Sequence, residues 1–357
     1  MTQHRMTAMQ RVLTTLGHRE PDRVPFFLLV TLHGAKELGL SIKEYFSRAE
    51  YVVEGQLRLR DKYRHDCLYS FFYAALEIEA WGGEVIYMED GPPNSGLPFI
   101  RRVDMIKNLV PPTVKHSPHL QNVLTAVRML KARVGEDVPI LGVVMSPFSL
   151  PVMQMGFDHY LDILQFDPGA FNRLMRINED FCVEWANAQL EAGVTAICYF
   201  DPVSSPDIIP REMYLRTGFV VAQRTLGRIK GPIAIHLASG RSLPIIADIA
   251  QTGTAVIGSS SLEDLVQLKT ACRGKLTVLG NLNGIEMRRW TTEQAEAKVR
   301  EAIHKAAPGG GFILSDNHGE IPWQVPDDVL MTISAAVHRW GQYPIVTGKT
   351  EQPEGMS

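Results

Sequence analysis

The segment GFILSDNHGEIP, residues 311–322, is a short apolar run that leads directly into Asp316, His318 and Glu320. Apolar runs of roughly four to eight residues are typical of buried strands. Acids, an imidazole and a glycine are unfavourable within such a strand and indicate that it ends. The segment therefore predicts a strand that ends in a loop rich in ionisable groups. Similar apolar runs occur earlier in the chain, and their number decides the fold.

Eight segments of the chain have this apolar character, and longer helical patterns separate most of them. The runs from residue 195 onward are nearly continuous rather than alternating, as expected for parallel strands that are covered on both faces. The predicted strands are VPFFLLV (24–30), DCLYSF (66–71), PILGVVM (139–145), TAICYF (195–200), PIAIH (232–236), TAVIGS (254–259), LTVLGN (276–281) and GFILSD (311–316).

Strands that alternate with helices predict an α/β protein, and eight such strands predict a single (β/α)8 TIM barrel. We expect the barrel to span residues 1–346, beginning with an N-terminal helical extension, and the polar segment 347–357 to be a disordered tail. An insertion between strands two and three, residues 84–118, is expected to cover one mouth. A doubly wound sheet is the alternative, although neither GxGxxG nor GxxxxGK occurs in the chain.

The composition is that of a globular protein with a sizeable core, with 45% hydrophobic and 21% charged residues. A net charge of −3 gives no reason to expect nucleic-acid binding, and no basic block or long apolar run predicts membrane association. The four cysteines are far apart and form no CxxC pair. Disulfides and a zinc ribbon are therefore not expected, and a reducing cytoplasm is the expected location.

Barrel enzymes carry their chemistry at the carboxyl ends of the strands, where the following loops converge. Polar residues at or just after the predicted strand ends are Ser146, Asp201, His236, Asn281, Asp316, His318 and Glu320. Glu79, on a predicted helix that runs toward a glycine, is a further candidate for the pocket. Structural interpretations stay open for several of them: a core histidine at His236, a turn at Asp201 before a proline, and a sharp turn at Asn281.

Two chemistries fit this set of residues. His236, His318 and Glu320 could form a mixed nitrogen and oxygen site for Zn²⁺ or another divalent ion. Without a metal, His318, Glu320 and Asp201 could act as catalytic acids and bases, while the other candidates bind substrate or cofactor; these are Ser146, Asn281, Asp316 and Glu79. A serine hydrolase is not indicated, because no GxSxG motif occurs.

The chain resembles the uroporphyrinogen decarboxylase superfamily over nearly its whole length. This superfamily also includes methylcobalamin:coenzyme M methyltransferases and related corrinoid-dependent enzymes. The motifs that carry the resemblance are EPDRVPF (20–26), EAWGGEVIYMEDGPP (79–93), SPFSLPVMQMG (146–156), FDPVSSPDIIPREMY (200–214), IHLASG (235–240), VLGNLNG (278–284) and NHGEIPWQVPDDVL (317–330).

The chain departs from the decarboxylase branch in two places. The arginine-rich loop that holds the substrate propionates in that branch corresponds to LVTLHGAKELGL (29–40), which contains no arginine. The catalytic aspartate after strand two has no counterpart in LYSFFYAAL (68–76), although His318 matches the histidine loop of that branch. The resemblance therefore places the chain closer to the methyltransferases.

The methyltransferase branch is also matched only in part. Its members usually bind zinc through His-x-Cys on strand five and a cysteine on the last loop. Here His236 is kept, but Ala238 and His318 stand at the two cysteine positions. A zinc site with thiolate ligands is thus excluded, whereas a metal site with nitrogen and oxygen ligands is still possible.

The resemblance implies a methyltransferase, of demethylase type, that acts between a small methylated substrate or a corrinoid and an acceptor at the barrel mouth. It implies a corrinoid (methylcobalamin) as substrate or as the cofactor of a partner corrinoid protein, and it implies a homodimer. The alternatives are a uroporphyrinogen decarboxylase, that is a carboxy-lyase, and a non-catalytic protein that binds a corrinoid or a porphyrin.

Overall fold

A parallel sheet of seven strands forms the centre of the protein in its computed structural model, which describes residues 6–346. A separate two-stranded antiparallel hairpin lies in the insertion. In chain order the strands are β1 (Leu68–Tyr69), β2 (Val85–Ile86), β3 (Asn94–Ser95), β4 (Ile140–Met145), β5 (Ala196–Phe200), β6 (Ile233–His236), β7 (Val256–Gly258), β8 (Thr277–Leu282) and β9 (Phe312–Asp316).

The strand order of the large sheet is β1-β4-β5-β6-β7-β8-β9, and every neighbouring pair is parallel. Each strand therefore lies beside the next one in sequence, without the reversal of direction that defines a doubly wound sheet. All carboxyl ends lie at the same edge, so the loops that follow the strands gather there. Seven of the eight predicted strands are thus confirmed.

The remaining predicted strand, residues 24–30, is not a regular strand. It forms one parallel bridge, between Phe26 and Leu314 of β9. The Phe27 amide donates to the Leu314 carbonyl at 2.8 Å, and the Asp66 amide, just before β1, donates to the Phe26 carbonyl at 2.8 Å. The segment therefore contacts both edges of the sheet. Pro25 lacks an N–H group, which interrupts the ladder that the apolar run predicted.

The helices surround the sheet, and their apolar faces form one large buried cluster with its outer side. They are α1 (Ala8–Leu16), α2 (His33–Leu38), α3 (Ile42–Phe46), α4 (Ala49–Tyr63), α5 (Leu76–Ala80), α6 (Pro118–Val134), α7 (Pro151–Met155), α8 (Phe157–Phe166), α9 (Pro168–Ala192), α10 (Arg211–Arg216), α11 (Gly218–Leu226), α12 (Ile246–Ile249), α13 (Leu265–Cys272), α14 (Thr292–Ala306) and α15 (Asp327–Trp340). Short 3-10 turns occupy Val103–Asn108, Val114–His116, Pro202–Ser204, Leu243–Ile245 and Glu286–Arg289.

Side chains at the helix ends explain where the longer helices begin. Asp167 accepts a hydrogen bond from the Ala170 amide at 2.9 Å and caps α9, which Gly193 ends with a φ of 120°. Thr291 and Gln294 form a reciprocal capping box at the start of α14.

The insertion at residues 84–118 contains the β2–β3 hairpin and two of the 3-10 turns. The Gln324 side chain, in the loop after β9, donates to the Asp90 carbonyl at 2.9 Å. The hairpin loop is therefore tied to the carboxyl edge of the sheet. Within residues 6–346, none of the helices is both long and apolar enough to span a bilayer. The predicted tail, 347–357, lies outside the described residues.

Candidate active site

A cavity of about 290 Å³ lies inside the curved sheet, and all seven parallel strands contribute side chains to its wall. The wall is apolar over most of its length, from α1 at the amino ends of the strands to the carboxyl ends. Its carboxylic acids and imidazoles all lie at the carboxyl ends: His236, Asp316, His318 and Glu320. Pro92 and Pro93 of the insertion complete the wall, which supports the expectation that the insertion covers the pocket.

The loop after β9 is folded back on itself by Asp316. One carboxylate oxygen, Oδ2, accepts hydrogen bonds from the backbone amides of His318 and Gly319, both at 3.1 Å. Gly319 adopts a φ of 109°, a conformation that favours glycine. This turn places His318 and Glu320 on the cavity wall together with Asp316.

Glu320 is held by two residues that directly follow the segment 24–30. Its carboxyl group pairs with the Thr31 hydroxyl and accepts a hydrogen bond from the Leu32 amide at 3.2 Å. Burial raises the pKa of Glu320 to about 8, in spite of these two hydrogen bonds, and the charge of nearby Asp316 adds to the rise. Glu320 is therefore mainly a neutral carboxylic acid at pH 7.

His318 is paired with a residue that follows β6. The Ser239 hydroxyl lies 2.6 Å from His318 Nδ1. Ser239 reaches this position because Ala238, just before it, turns the chain at a φ of 52°. The alanine at the position of the family cysteine thus belongs to a turn that presents a hydroxyl group to the last loop.

His236 is fixed in one orientation by three neighbours. Its Nδ1 accepts a hydrogen bond from the Ala238 amide at 3.0 Å, and its ring stacks on Phe200 with a centroid distance of 5.8 Å. On the next strand Gly258 leaves room for the ring, since a Cβ atom there would lie 2.3 Å from His236 Cδ2. Burial lowers the pKa of His236 to about 4, so the ring is neutral at pH 7, with its proton on Nε2.

Asp201 and Ser146 lie at strand ends as predicted, but both point away from the cavity. The Asp201 carboxylate accepts hydrogen bonds from the hydroxyls of Ser146 at 2.5 Å, Ser149 at 2.7 Å and Ser204 at 2.5 Å. Burial raises the pKa of Asp201, and the three serine hydroxyls oppose the rise. This serine cage links the loops after β4 and β5, and neither predicted residue lines the cavity.

Asn281 and Glu79 also lie off the cavity wall. The Asn281 amide donates to the carbonyls of Ser260 at 2.8 Å and Glu263 at 3.2 Å, which fits the structural interpretation of this position. Glu79 accepts a hydrogen bond from the Tyr73 hydroxyl at 2.6 Å. Tyr73 does line the cavity, so Glu79 contacts a wall residue rather than the cavity itself.

The three predicted metal ligands do not surround a common metal position, because each pairs with a different protein group. These ligands are His236, His318 and Glu320. Among residues 6–346, no three His, Cys, Asp or Glu side chains are placed so that they could hold one metal ion. Because His236 Nδ1 accepts a hydrogen bond from the Ala238 amide, the ring proton lies on Nε2. Neither ring nitrogen then has a lone pair available for a metal ion. The donors as placed do not fit Zn²⁺ or another divalent ion.

Several residues of this site were not among the sequence candidates. Thr31, which holds Glu320, and Ser239, which holds His318, are not ionisable themselves and were not candidates. Tyr73 and Phe200 line the cavity beside them. A signal for Ser239 was present, because it stands in the turn after a strand that ends in a candidate histidine.

Comparisons with known proteins agree on the family. Residues 7–340 match the sequence model described as uroporphyrinogen decarboxylase (URO-D). The uroporphyrinogen decarboxylase of Cupriavidus necator is 25% identical over 94% of this chain and 97% of its own length. A methylcobamide:CoM methyltransferase of Methanosarcina barkeri is 24% identical over 68% of this chain and 70% of its own length.

The fold has a close counterpart among solved structures. A methyltransferase from Methanosarcina mazei superimposes with a TM-score of 0.83 at 19% identity, covering 94% of this chain and 99% of that one. A B12-independent methionine synthase from a Shewanella species superimposes more distantly, with a TM-score of 0.53 at 13% identity over 83% of this chain and 89% of that one. At such identities the likeness concerns the fold.

Proposed function

The chain belongs to the uroporphyrinogen decarboxylase (URO-D) family, and we propose that within this family it is a methyltransferase. It binds a small methylated substrate in the cavity inside the sheet, which we take to close as a (β/α)8 barrel through residues 24–30. The methyl group passes between this substrate and an acceptor at the carboxyl mouth. The acceptor is a corrinoid, supplied free or by a corrinoid protein.

The observation that carries the proposal is the charge of the cavity wall. Among residues 6–346, the side chains that form the wall include Asp316 and Glu320 but no lysine or arginine. A tetrapyrrole that bears many carboxylates needs cationic partners, because a buried carboxylate without one is strongly destabilised. A small substrate without negative charge meets no such penalty. The wall therefore favours methyl transfer over tetrapyrrole decarboxylation.

Glu320 has the protonation state that a demethylation requires. When a methyl group leaves an oxygen, nitrogen or sulfur atom, the bond electrons stay on that atom, which becomes a far better leaving group if it takes up a proton. Glu320 is neutral at pH 7 because burial raises its pKa to about 8, so it can donate this proton and become a carboxylate. The methyl carbon forms its new bond to the acceptor corrinoid, which must be in the Co(I) state because it supplies both electrons of that bond.

His318 is the residue suited to restore the proton on Glu320. Both side chains lie on the cavity wall, and the Ser239 hydroxyl orients the His318 ring through Nδ1. An imidazole can accept a proton at one ring nitrogen and release one from the other, which suits His318 to pass a proton from solvent. His236 has a different role, because it is neutral and fixed. It shapes the wall beside Phe200 and binds substrate through Nε2–H.

The proposal is tested with the full chain, cob(I)alamin and three classes of donor: a methyl ether, a methylamine and a methyl thioether. Formation of methylcobalamin, followed by absorbance, is the expected result with at least one class. Glu320→Gln should slow it at least tenfold. Glu77→Gln is the matched control, because Glu77 is also a buried acid whose pKa is raised to about 8 but lies off this cavity.

Two results would contradict the proposal. Conversion of uroporphyrinogen to coproporphyrinogen, with no methylcobalamin from any donor, would assign the chain to the decarboxylase branch. Tight binding of a corrinoid or a porphyrin without turnover in either assay would instead indicate a non-catalytic binding protein.

A further inference from the structure

The curved sheet encloses an open cavity, in a space that (β/α)8 barrels ordinarily fill with side chains. Bulky branched side chains usually pack the interior in layers. Here β5 and β6 turn Ala196, Cys198 and Ala234 toward the cavity, and all three remain partly accessible although their strands are central in the sheet. Small residues on two adjacent strands thus leave the interior open below the ionisable groups.

The cavity has a polar end and an apolar end. The acids and imidazoles lie at the carboxyl ends of the strands, whereas side chains such as Leu141, Val256 and Ile313 form the wall toward the other end. Thr195, at that other end, accepts a hydrogen bond from the Ile140 amide at 3.1 Å with its hydroxyl, so its polar atom already has a partner. The side chains that line the inner part of the cavity are therefore mostly apolar, although the Tyr69 phenol and the Cys198 thiol are among them.

Helix α1 forms the floor of the cavity. Val12 and Leu16 pack with Phe27 at the amino ends of the strands. On the other side of the helix the Arg11 guanidinium is bonded to the carboxylates of Asp22 and Asp66, both at 2.7 Å. Buried charge-assisted pairs of this kind are costly to break, so the floor is a fixed limit to the depth of the cavity.

We infer that the substrate carries an apolar tail, an aliphatic chain or an aromatic ring, which lies inside the barrel between the ionisable mouth and α1. Its reacting head lies at the mouth and bears no negative charge, since no lysine or arginine within the described part of the chain lines the wall. The inference rests on the proposed function for the reaction at the head, but not for the binding of the tail.

The volume sets the length of the tail. An apolar cavity of about 150 Å³ holds a benzene molecule, so a cavity of about 290 Å³ holds a group of roughly eight to twelve carbon atoms. Burying each methylene should tighten binding about fourfold until the cavity is full. A longer chain should gain nothing further, because it meets the floor.

The test is calorimetric titration of the full chain with 1-butanol, 1-hexanol, 1-octanol and 1-decanol. We expect the dissociation constant to fall about fourfold per methylene up to about eight carbons and then to level off. In Ala234→Leu, whose side chain fills part of the cavity, 1-octanol should bind at least tenfold more weakly, while 1-butanol should bind as before. Ala297→Leu is the matched control, since Ala297 is exposed on α14 and should leave the series unchanged.

Cys198→Leu, on the neighbouring strand, repeats the test if Ala234→Leu does not fold. The inference would be overturned if the dissociation constants did not depend on chain length. It would also be overturned if the wild type and the cavity-filling variants gave the same series. The titration involves no turnover. A normal chain-length series with no methyl transfer would therefore contradict the proposed function alone, and methyl transfer without such a series would contradict the apolar tail alone.

Discussion

The Ser239 hydroxyl lies 2.6 Å from His318 Nδ1 and joins the turn after β6 to the loop after β9. Each residue lies outside the regular strands, so the bond fixes two loops that the sheet itself does not hold. His318 and Glu320 share the second loop; this contact orients His318, whereas Glu320 is held by Thr31 and Leu32.

Ser239→Ala should lower the rate of methyl transfer while it changes substrate binding little. The ring of His318 loses the group that orients it, and a misplaced proton carrier lowers kcat rather than raising KM. We expect about a tenfold loss in kcat, and a loss of about 1 kcal/mol in the free energy of unfolding. Steady-state kinetics and urea unfolding measure the two effects. Ser239→Thr keeps the hydroxyl and should recover most of the rate; equal losses in both variants would contradict the role.

Glu320→Gln should change how the free energy of unfolding depends on pH. The pKa of Glu320 is about 8 in the folded protein, above the ordinary 4.5 of the unfolded chain. Between pH 4.5 and 8 the unfolded chain therefore binds fewer protons, and the wild type loses stability as pH rises, by at most about 1.4 kcal/mol per pH unit. The glutamine variant lacks this loss, so its stability relative to wild type should increase from pH 5 to 8 in urea unfolding.

Glu77→Gln separates this effect on stability from catalysis. The Glu77 carboxylate accepts a hydrogen bond from the Met145 amide at 2.8 Å, and burial raises its pKa to about 8. Its replacement should give the same relative gain in stability between pH 5 and 8, for the same reason. We expect kcat of the wild type to decline as pH rises through about 8, and only Glu320→Gln should also abolish this decline. An unchanged decline in Glu320→Gln would show that another group supplies the proton.

The order of the strands and the composition of the last loop followed from the sequence, because both depend on local patterns. Parallel strands covered on both faces give continuous apolar runs, and the ionisable groups that follow them stand out. The hydrogen-bond partners of those ionisable groups could not be predicted from the sequence. Thr31 lies 289 positions before Glu320, and the contacts of the preceding segment, residues 24–30, with both edges of the sheet bring them together.

The direction of side chains explains why some candidates lie off the cavity. Successive side chains on a strand point to opposite faces. Phe200 and Met145 line the cavity, so Asp201 and Ser146, which directly follow them, point outward into the serine cage. Position at a strand end was therefore not enough to predict which side chains line the cavity. The alternating direction of side chains along each strand had to be considered as well.

Gly258→Ala should destabilise the protein through His236. A Cβ atom at Gly258 would lie 2.3 Å from Cδ2 of the His236 ring, which is held between this strand and Phe200. The ring must move away from its bond with the Ala238 amide, and we expect a loss of about 1–3 kcal/mol in the free energy of unfolding. Gly91→Ala is the control, since the nearest atom to its Cβ would be 3.9 Å away. Equal stability of the two variants would show that the ring is not confined.

Asp201→Ala should affect stability more than chemistry. The carboxylate accepts hydrogen bonds from three buried serine hydroxyls, and its removal leaves all three without their acceptor. Each buried hydroxyl that loses its partner costs about 1–3 kcal/mol, so the free energy of unfolding should fall by several kcal/mol. Asp201→Asn keeps one acceptor oxygen and should lose less. Because Asp201 does not line the cavity, the asparagine variant should retain kcat within about threefold of wild type. A loss of kcat beyond about a hundredfold in a folded Asp201→Asn protein would instead restore Asp201 as a catalytic residue.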